Sequence, residues 1–407
     1  MGLTYFSTLN PADCCGCKGC EQVCSHKAIF FEVNNEGFEY PHLDTELCVN
    51  CGLCVNVCPM TNAASVKQPI GQAIVVQNNN SSDLMSSSSG GAFVAIAKYV
   101  LNRGGVVYGA AYANGTIVEH RRVVSETGLI DLVGSKYIQS DIKNSFSNVK
   151  NDLKNKKLVY FTGTPCQVSG LRLYLRKDYD NLITSDLVCH GVPSPKIFQK
   201  VVQSISEQVG GSIIDYSFRD KRIHGWSCCS SSSWKIGNKK KYVKYSKDME
   251  AYFNAFISGD LMRMSCYECP YACRQRTGDI TIADFWGVRR MYPDFPNISK
   301  GVSLILVNSE KGKYIINNII QNFYSMKITI EEGAKYNHNL NHPTSITQRR
   351  FESYILAFGN YRKFVERYYQ GNVFINRIKV EFEYFLRKHS TLFTIVSKLS
   401  KIKNKRK

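Results

Sequence analysis

The chain has 407 residues and a mass of 46.1 kDa, with 43% hydrophobic residues, 21% charged residues and a net charge of +19. This composition gives room for roughly two or three packed domains and excludes a chain that is disordered over most of its length. No segment approaches about 18 uninterrupted apolar residues, and residues 1–15 lack a basic stretch followed by an apolar one. We therefore expect a cytoplasmic protein with neither a membrane-spanning helix nor a signal peptide. Basic charge alone attracts nucleic acid without specificity, and because no nucleic-acid-binding motif accompanies it, we expect no nucleic-acid partner. The Lys-rich run at residues 239–247 follows residues 236–238, which predict a hairpin turn at Gly237 with a solvated arm.

Nine of the 16 cysteines precede residue 59, and eight of them form two groups with the same C-x2-C-x2-C-x3-C spacing. Each member of the second group lies 34 residues after its counterpart, and a proline follows the last cysteine. This repeat is typical of bacterial two-cluster ferredoxins, in which three close thiolates bind one iron-sulfur cube and the fourth binds the other. The spacing predicts one 4Fe-4S cluster on Cys14, Cys17, Cys20 and Cys58, and a second on Cys48, Cys51, Cys54 and Cys24.

A pair of zinc knuckles is the alternative interpretation, because C-x2-C pairs also bind tetrahedral zinc. Zinc binding does not require eight cysteines in a repeated run with a proline after the last, so we favour the iron-sulfur clusters. Cys15 lies outside the repeat and is interpreted as a packed or exposed thiol. Residues 1–62 have a net charge of −5, which leaves +24 for the rest of the chain. An acidic electron-transfer module on a basic body fits this distribution.

The pattern changes after a short polar link at residues 63–69. Residues 73–77 predict a buried strand, residues 86–91 a Ser/Gly loop, residues 92–101 a helix and residues 106–111 a second strand. The order of strand, helix and strand predicts an α/β body. A Ser/Gly loop at a helix N-terminus presents N–H groups to a phosphate, although many such loops only cap the helix.

Two more strand-loop-helix units follow, with strands predicted at residues 158–163 and 182–188 and helices at residues 168–175 and 196–209. Farther on, residues 277–287 predict a strand with polar residues toward its ends. Ligands of open α/β sheets bind at the loops that follow the carboxyl ends of the strands. We therefore expect the site of the body at these loops.

Cysteines occur at these loops. Cys166 and Cys189 each follow a predicted strand, and Cys266 and Cys269 form a C-x2-C pair. A single buried cysteine is more often a small hydrophobic residue than a ligand, but four thiolates in one place are enough for a third 4Fe-4S cluster. Cys273 is the alternative fourth ligand. Zinc remains a rival for this site, because the spacing does not identify the metal.

Six motifs occur in order along the body. They are SSSSGGAF (86–93), GSKYIQSDI (134–142), FTGTPCQVSGL (161–171), DLVCHGVPSP (186–195), SFRDKRIHGW (217–226) and CYECPYACRQRTGDITIADFWG (266–287). Together they resemble the beta-subunit family of coenzyme F420 hydrogenase/dehydrogenase, in the version with an N-terminal two-cluster ferredoxin domain. The resemblance covers about residues 1–310. The cysteine positions of the family fall on Cys166, Cys189, Cys266 and Cys269, whereas Ala283 stands where the family more often has glycine.

The resemblance implies a flavin, usually FAD, and a cubane cluster in the body, with electrons passing between iron-sulfur clusters and a small organic hydride acceptor. Members of the family act on the deazaflavin F420, and relatives reduce other conjugated or carbonyl compounds. Bacterial members similar to this chain accompany polysaccharide-synthesis proteins. We therefore predict a flavin-dependent iron-sulfur oxidoreductase whose partner is an electron donor or acceptor protein. The alternative is a non-catalytic iron-sulfur electron-transfer subunit of a larger complex.

A flavin converts single electrons from clusters into a two-electron hydride step. Lys136 is predicted to stabilise the reduced anionic flavin. His190 and His224 are the candidate proton donors because an unperturbed histidine titrates near neutrality, and a structural role is the alternative for each. The predicted flavin contacts are Ser88, Ser89, Gly90, Gly91, Gly134, Ser135, Lys136 and Thr164.

The end of the chain is basic, since residues 377–407 have a net charge of +8. Their apolar residues recur at three- and four-residue steps, which predicts an amphipathic helix. This helix either packs on the body and ends in a basic tail or attaches peripherally to the anionic inner face of a membrane. The predicted domains are a two-cluster ferredoxin domain (1–62), a linker (63–69), the body (70–330) and a polar loop with this helix (331–407). The fold class is thus an α+β ferredoxin-like N-terminal module, an α/β flavin-binding body and a helical C-terminal extension.

Overall fold

The computed structural model describes residues 4–244 and 246–369. It confirms a mixed α/β organisation around an eight-stranded mixed sheet, accompanied by a two-stranded and a three-stranded sheet. The amphipathic helix predicted for residues 377–407 lies outside the described residues, so its packing and its membrane contact stay predictions. Among the residues that are described, no helix combines the length and the apolar character needed to cross a bilayer.

The strands are short and lie in all parts of the described chain. They are β1 (Ile29–Val33), β2 (Glu39–Leu43), β3 (Gln72–Asn78), β4 (Val106–Tyr112), β5 (Val118–Val123), β6 (Val159–Gly163), β7 (Leu182–Leu187), β8 (Ser212–Ser217), β9 (Ser231–Ile236), β10 (Lys239–Lys244), β11 (Ile280–Asp284), β12 (Ser303–Val307) and β13 (Phe323–Ile328).

The helices lie before, between and after these strands. They are α1 (Tyr5–Thr8), α2 (Gly19–Val23), α3 (Leu53–Asn56), α4 (Ser81–Ser86), α5 (Ala92–Leu101), α6 (Glu126–Leu129), α7 (Ser145–Lys154), α8 (Pro165–Leu175), α9 (Pro195–Val209), α10 (Lys221–His224), α11 (Lys247–Ile257), α12 (Val288–Met291), α13 (Glu310–Ile319), α14 (Ile330–Ala334), α15 (Arg349–Gly359) and α16 (Tyr361–Tyr368).

The large sheet has the strand order β13-β3-β12-β11-β7-β6-β4-β5. Strands β4, β6, β7 and β11 are parallel neighbours, and β12 runs antiparallel to both β11 and β3. Strand β3 is therefore parallel to β11, and five parallel strands end at one edge of the sheet. We call it the carboxyl edge, and it is the edge at which loops of α/β sheets bind ligands.

Local patterns predicted many of these elements. Helix α5 has the predicted bounds, and the hairpin of β9 and β10 turns at the predicted Gly237. Strands β3 and β4, predicted in strand-helix-strand order, are parallel but are separated by four other strands. Helix α8 begins at Pro165, three residues before the prediction, because Thr164 caps it and a proline suits the first helical position. Cys166 therefore lies in the first turn of a helix and not in a loop.

The N-terminal module packs against the body. Cys15 and Cys17 belong to a hydrophobic cluster that also contains Phe146, Phe161 and Leu171. A second cluster lies beneath α9 and α11, and it includes residues of α15 and α16. The described part of the predicted C-terminal extension is thus packed on the body.

Candidate redox site

The cysteines predicted for the first cluster line one cavity of the N-terminal module. Helices α2 and α3 each start next to a residue with positive φ, Lys18 at 56° and Gly52 at 72°, which turns the chain sharply between successive cysteines. Besides its cysteines the cavity is lined by polar residues that include Asp13 and Lys18, and its thiols are the donors that fit the chemistry of an iron-sulfur cluster. Its cysteines are Cys14, Cys17, Cys20 and Cys58, together with Cys15 and Cys54.

The cysteines predicted for the second cluster lie toward the outside of the module. Burial raises the pKa of Cys54, and the neighbouring thiols of Cys51 and Cys48 raise it further. Cys51 is exposed. The sulfur of Cys24 accepts a hydrogen bond from the Ala28 N–H at 3.4 Å. Three of the four predicted thiols are therefore grouped, and the assignment of Cys24 stays a prediction.

The four body cysteines come together from three segments, namely the first turn of α8, the loop after β7 and the segment that contains the 3-10 helix Met264–Cys266. Burial raises the pKa of Cys189 to about 12, and the thiols of Cys166 and Cys269 add to the shift. Burial also raises the pKa of Cys266 well above its usual value, with contributions from Cys189, Cys269 and Cys166. Four neighbouring thiols have the donor chemistry of a cubane cluster and also of zinc. Among the residues that the structure describes, however, no group of three or more Cys, His, Asp or Glu side chains is already placed to hold a metal ion.

Cys273 is turned away from this group. Its sulfur lies 3.6 Å from the Pro270 carbonyl oxygen and 3.4 Å from the Gln275 carbonyl oxygen, so the thiol donates to the backbone. The geometry therefore favours Cys166, Cys189, Cys266 and Cys269 over any set that includes Cys273, and the ligand set itself stays a prediction.

Cys15 lies between the first-cluster cavity and the body cysteines. It is 8% exposed, and together with Cys17 it belongs to a buried cluster against which Cys166 packs. The neighbouring Cys166 thiol lowers the pKa of Cys15, but the Cys17 thiol and burial outweigh this effect and raise that pKa well above its usual value. Of the two roles that the sequence left open for this thiol, the packed one is correct. Its contact with both sulfur groups depends on the tertiary structure, and the sequence contains no pattern for it.

A buried ion pair holds the segment that carries Cys266 and Cys269. Arg276 donates to Asp186 at 3.1 Å and to the backbone carbonyls of Tyr271 and Cys273, each at 3.1 Å. Asp186 also accepts a hydrogen bond from the Thr277 N–H at 2.9 Å. The Arg276 and Asp186 side chains are 1% and 0% exposed, so the pair is kept from water and fixes this segment to β7.

The two segments predicted to bind flavin meet at the carboxyl edge. The Ser135 N–H donates to Ser88 Oγ at 2.7 Å, although the two residues belong to separate motifs. Gly91, with φ of 83°, is the N-cap of α5. A Cβ on Gly90 would lie 2.4 Å from the Val76 carbonyl oxygen, so glycine is required there by backbone packing. The loops thus present a helix N-terminus next to Ser88 and Ser135, an arrangement that fits a phosphate-bearing cofactor.

Two lysines with low pKa values belong to this region. Lys136 donates to the carbonyl oxygens of Asp131 and Val133 at 2.9 and 3.0 Å, and burial lowers its pKa to about 7. Lys221, at the start of α10, donates to the carbonyl oxygens of Leu84 and Ser89. Burial, together with the charge of Arg219, lowers the pKa of Lys221 to about 7. Sequence reasoning missed Lys221.

Three other predicted residues have different surroundings. Thr164 Oγ1 lies 3.2 Å from the Cys166 sulfur, which places it against the body cysteines. His190 has Nε2 3.2 Å from the Ile257 carbonyl oxygen and Nδ1 3.3 Å from Asn339 Oδ1. These contacts suit the structural alternative for His190. His224 is buried at the end of α10, and its role as a proton donor stays a prediction.

An exposed tryptophan lies beyond the end of β11. Trp286 is 45% exposed and stacks on the buried Trp226 with a centroid distance of 5.3 Å and an interplanar angle of 3°. Asp284 accepts hydrogen bonds from the Trp226 indole N–H at 2.8 Å and from Arg219 at 2.5 and 2.9 Å. The carboxyl edge thus presents a fixed aromatic face.

Comparison with known proteins assigns two regions to families. Residues 156–332 match the family described as the C terminus of the coenzyme F420 hydrogenase/dehydrogenase beta subunit, and residues 13–62 match the 4Fe-4S dicluster domain. Ketoisovalerate oxidoreductase subunit VorC of Methanothermobacter marburgensis is 30% identical over 63 residues, which are 15% of this chain and 80% of that protein. A chain of the F420-reducing NiFe hydrogenase complex from Methanosarcina barkeri aligns with a TM-score of 0.43 at 15% identity, covering 67% of this chain and 90% of its own.

Proposed function

The chain belongs to the coenzyme F420 hydrogenase/dehydrogenase beta-subunit family with an N-terminal 4Fe-4S dicluster domain, and we propose that it is an iron-sulfur flavoprotein oxidoreductase. Electrons pass between an external redox protein, two N-terminal clusters, a body cluster, FAD and a small organic hydride acceptor. The association with polysaccharide synthesis stays a prediction from the family resemblance.

One observation carries this proposal, namely the packing of the buried Cys15 with both Cys17 and Cys166. Cys17 lines the first-cluster cavity, and Cys166 belongs to the group of four body cysteines. The two sulfur groups are therefore linked through a single buried side chain. Electron transfer between metal centres needs short distances, and this contact supports a first cluster next to the proposed body cluster.

The exposure of the cysteines indicates which cysteine group of the module faces solvent and which faces the body. Cys51 is exposed, whereas Cys15 and Cys17 are buried against the body. Cys54 lines the first-cluster cavity and also lies near Cys51 and Cys48, so the second group continues the series outward. We infer that the external redox protein binds at the second cluster, and that electrons reach the body through the first.

The flavin belongs at the carboxyl edge, beside the N-terminus of α5. When bound, it supplies the conversion between single-electron transfer and hydride transfer. Ser88 and Ser135 hold the two loops together, and Lys221 ties Ser89 to α10. With pKa values near 7, Lys136 and Lys221 are suited to hold or release a proton at neutral pH. Trp286 is the aromatic surface that we assign to the organic substrate.

The test is quantification of iron, sulfide and flavin in protein purified without oxygen. Three cubanes predict about 12 irons per chain, and two clusters alone predict about 8. Flavin released by acid supports the enzyme. About 12 irons without flavin would instead support the alternative of a non-catalytic electron-transfer subunit.

A pair of variants tests the body ligands. Cys189→Ser removes one of the four grouped thiols, so we expect the iron content to fall from about 12 to about 8 per chain. Cys273→Ser is the matched control, because its thiol donates to backbone carbonyls, and it should keep all of the iron. Equal iron contents in the two variants would contradict the assignment of the third cluster.

A further inference from the structure

Arg263 lies between the first-cluster cavity and the body cysteines. It is fully buried at 0% exposure and stands three residues before Cys266. Its Nη2 lies 3.4 Å from the Cys14 sulfur, and its Nε donates to the Cys14 carbonyl oxygen at 2.6 Å. A residue of the body therefore touches a thiol predicted to bind the first cluster.

The rest of the guanidinium is also held by the N-terminal module and by one residue of the body. Nη2 donates to the Glu39 carbonyl oxygen at 2.8 Å, and Nη1 donates to Gln139 Oε1 at 3.2 Å. The ring of Tyr40 lies 4.1 Å from the guanidinium carbon. These contacts hold the guanidinium in one position, so its charge is fixed relative to Cys14.

In the described part of the chain, the charge of Arg263 has no carboxylate beside it. Three arginines of the described residues are fully buried, and two of them are paired: Arg276 with Asp186 at 3.1 Å and Arg350 with Glu36 at 2.5 Å. Within residues 4–244 and 246–369, Arg263 forms no ion pair with an Asp or Glu. A buried cation without an anion is costly, and the Cys14 sulfur is the group in contact that becomes anionic when it binds iron.

The module also makes room for this cation. A Cβ on Gly16 would lie 2.9 Å from Arg263 Nη1 and 2.7 Å from Gln139 Nε2, and the φ of Gly16 is +70°. Glycine is therefore required between Cys15 and Cys17 for the guanidinium to approach Cys14. The same turn carries the cysteines of the first cavity.

We propose that Arg263 is the counter-charge of the first iron-sulfur cluster and that it raises the reduction potential of this cluster above that of an otherwise identical site. The inference rests on the proposed function, since it requires a cluster on Cys14, Cys17, Cys20 and Cys58. Cluster potentials depend on net charge and on hydrogen bonds to the sulfurs, and a fixed cation bonded to a ligand sulfur stabilises the reduced, more negative state. The first cluster would then accept electrons from the outer cluster.

The test is an anaerobic redox titration of the holoprotein, followed by electron paramagnetic resonance. In Arg263→Gln we expect one reduction step to move to lower potential, with the other steps near their wild-type values. A tenfold weaker reduction corresponds to about 59 mV for a one-electron step. Arg263→Lys keeps the charge and should recover most of this shift.

Arg350→Gln is the matched control. Arg350 is equally buried and also joins the body to the module, through Glu36, but the described contacts place no cysteine sulfur against it. All its reduction steps should therefore stay at wild-type potentials. If Arg263→Gln retains its iron and its potentials, or if both variants show the same shift, the proposal is wrong.

Two further outcomes are distinguishable. Wild-type protein without iron would contradict the proposed function itself, before any variant is compared. If Arg263→Gln alone loses about four irons, the titration of Arg263→Lys decides between the two roles. Wild-type potentials in Arg263→Lys then support the counter-charge, whereas loss of the same four irons from Arg263→Lys would show that the shape of the side chain matters and would overturn the proposal.

Discussion

At the scale of single residues, several charged side chains lie in the interior of this protein. Asp186 and Arg276 neutralise each other, whereas Lys221 donates to backbone carbonyls and has its pKa lowered to about 7 by burial and by Arg219. Buried charges of this kind are costly unless they serve a site. Both features lie at the carboxyl edge or beside the body cysteines, where the proposed chemistry needs fixed positions.

Because burial lowers the pKa of Lys221, the free energy of unfolding depends on pH. The unfolded chain keeps the lysine protonated up to its usual pKa of 10.5, whereas the folded chain releases the proton near pH 7. The unfolded state therefore binds more protons between these values, and the free energy of unfolding rises with pH across this window. We expect Lys221→Met to flatten this rise, as measured by the unfolding temperature between pH 6.5 and 9.

Lys98→Met is the control for this measurement. Lys98 pairs with Asp83 at 2.9 Å, and its hydrogen bond with Asp83 raises its pKa. Its contribution to stability is complete below pH 10.5 and is lost only above it, so this variant should keep the wild-type slope between pH 6.5 and 9. A Lys221→Met variant with an unchanged slope would contradict the low pKa of Lys221.

At the scale of secondary structure elements, the start of α8 connects helix capping with the proposed body cluster. Thr164 is the N-cap, its N–H donates to Gln167 Oε1 at 3.0 Å, and its hydroxyl lies 3.2 Å from the Cys166 sulfur. A capped first turn fixes the backbone on which Cys166 stands. The same residues therefore begin the helix and orient a predicted ligand.

Replacement of this cap is expected to have two effects. Thr164→Ala should lower the free energy of unfolding by about 1 kcal/mol, a typical value for an N-cap. It should also speed the loss of body iron to a chelator, because Cys166 is held less firmly. Thr329→Ala, at the capping box of α14 with Glu332, should cost a similar free energy without changing iron release. Equal rates of iron release from both variants would contradict the link between this cap and the cluster.

At the scale of the whole molecule, charge is divided between the module and the body. Residues 1–62 carry −5 and the remaining residues +24. The two parts are joined by buried contacts, including the pair of Arg350 with Glu36 and the salt bridge of Lys18 with Asp141 at 2.8 Å. Glu46, five residues before the exposed Cys51 in the sequence, contributes to the negative charge of the module, and we expect this charge to steer cationic reductants toward the proposed second cluster.

The rate at which the clusters are reduced tests this effect of the module's negative charge. We expect the clusters to be reduced faster by the methyl viologen cation at low salt than at high salt, because screening acts over about 8 Å at physiological ionic strength. Glu46→Lys should weaken this salt dependence. Glu207→Lys, which makes the same charge change on α9 of the body, should leave it unchanged. The same salt dependence in wild type and in both variants, measured by stopped-flow absorbance, would contradict reduction through the second cluster.

Features that depend on neighbouring residues could be read from the sequence. The repeated cysteine spacing predicted the dicluster domain, and residues 13–62 match it. Apolar periodicity predicted β3, α5 and β6, and the turn at Gly237 predicted the hairpin of β9 and β10. Such patterns depend only on which face of a single helix or strand is apolar, so they were sufficient to predict individual elements.

Contacts between segments that are distant in the sequence could be identified only from the folded structure. Strands β11 and β12, at residues 280–307, lie between β3 and β7, and so separate elements that the sequence placed in succession. The same packing brings Cys15 to Cys166, and Arg263 to Cys14 across about 250 residues of chain. No periodic pattern in the sequence predicts these contacts. They form when separate elements bury their apolar faces together, and the polar groups between these elements then need hydrogen-bond partners.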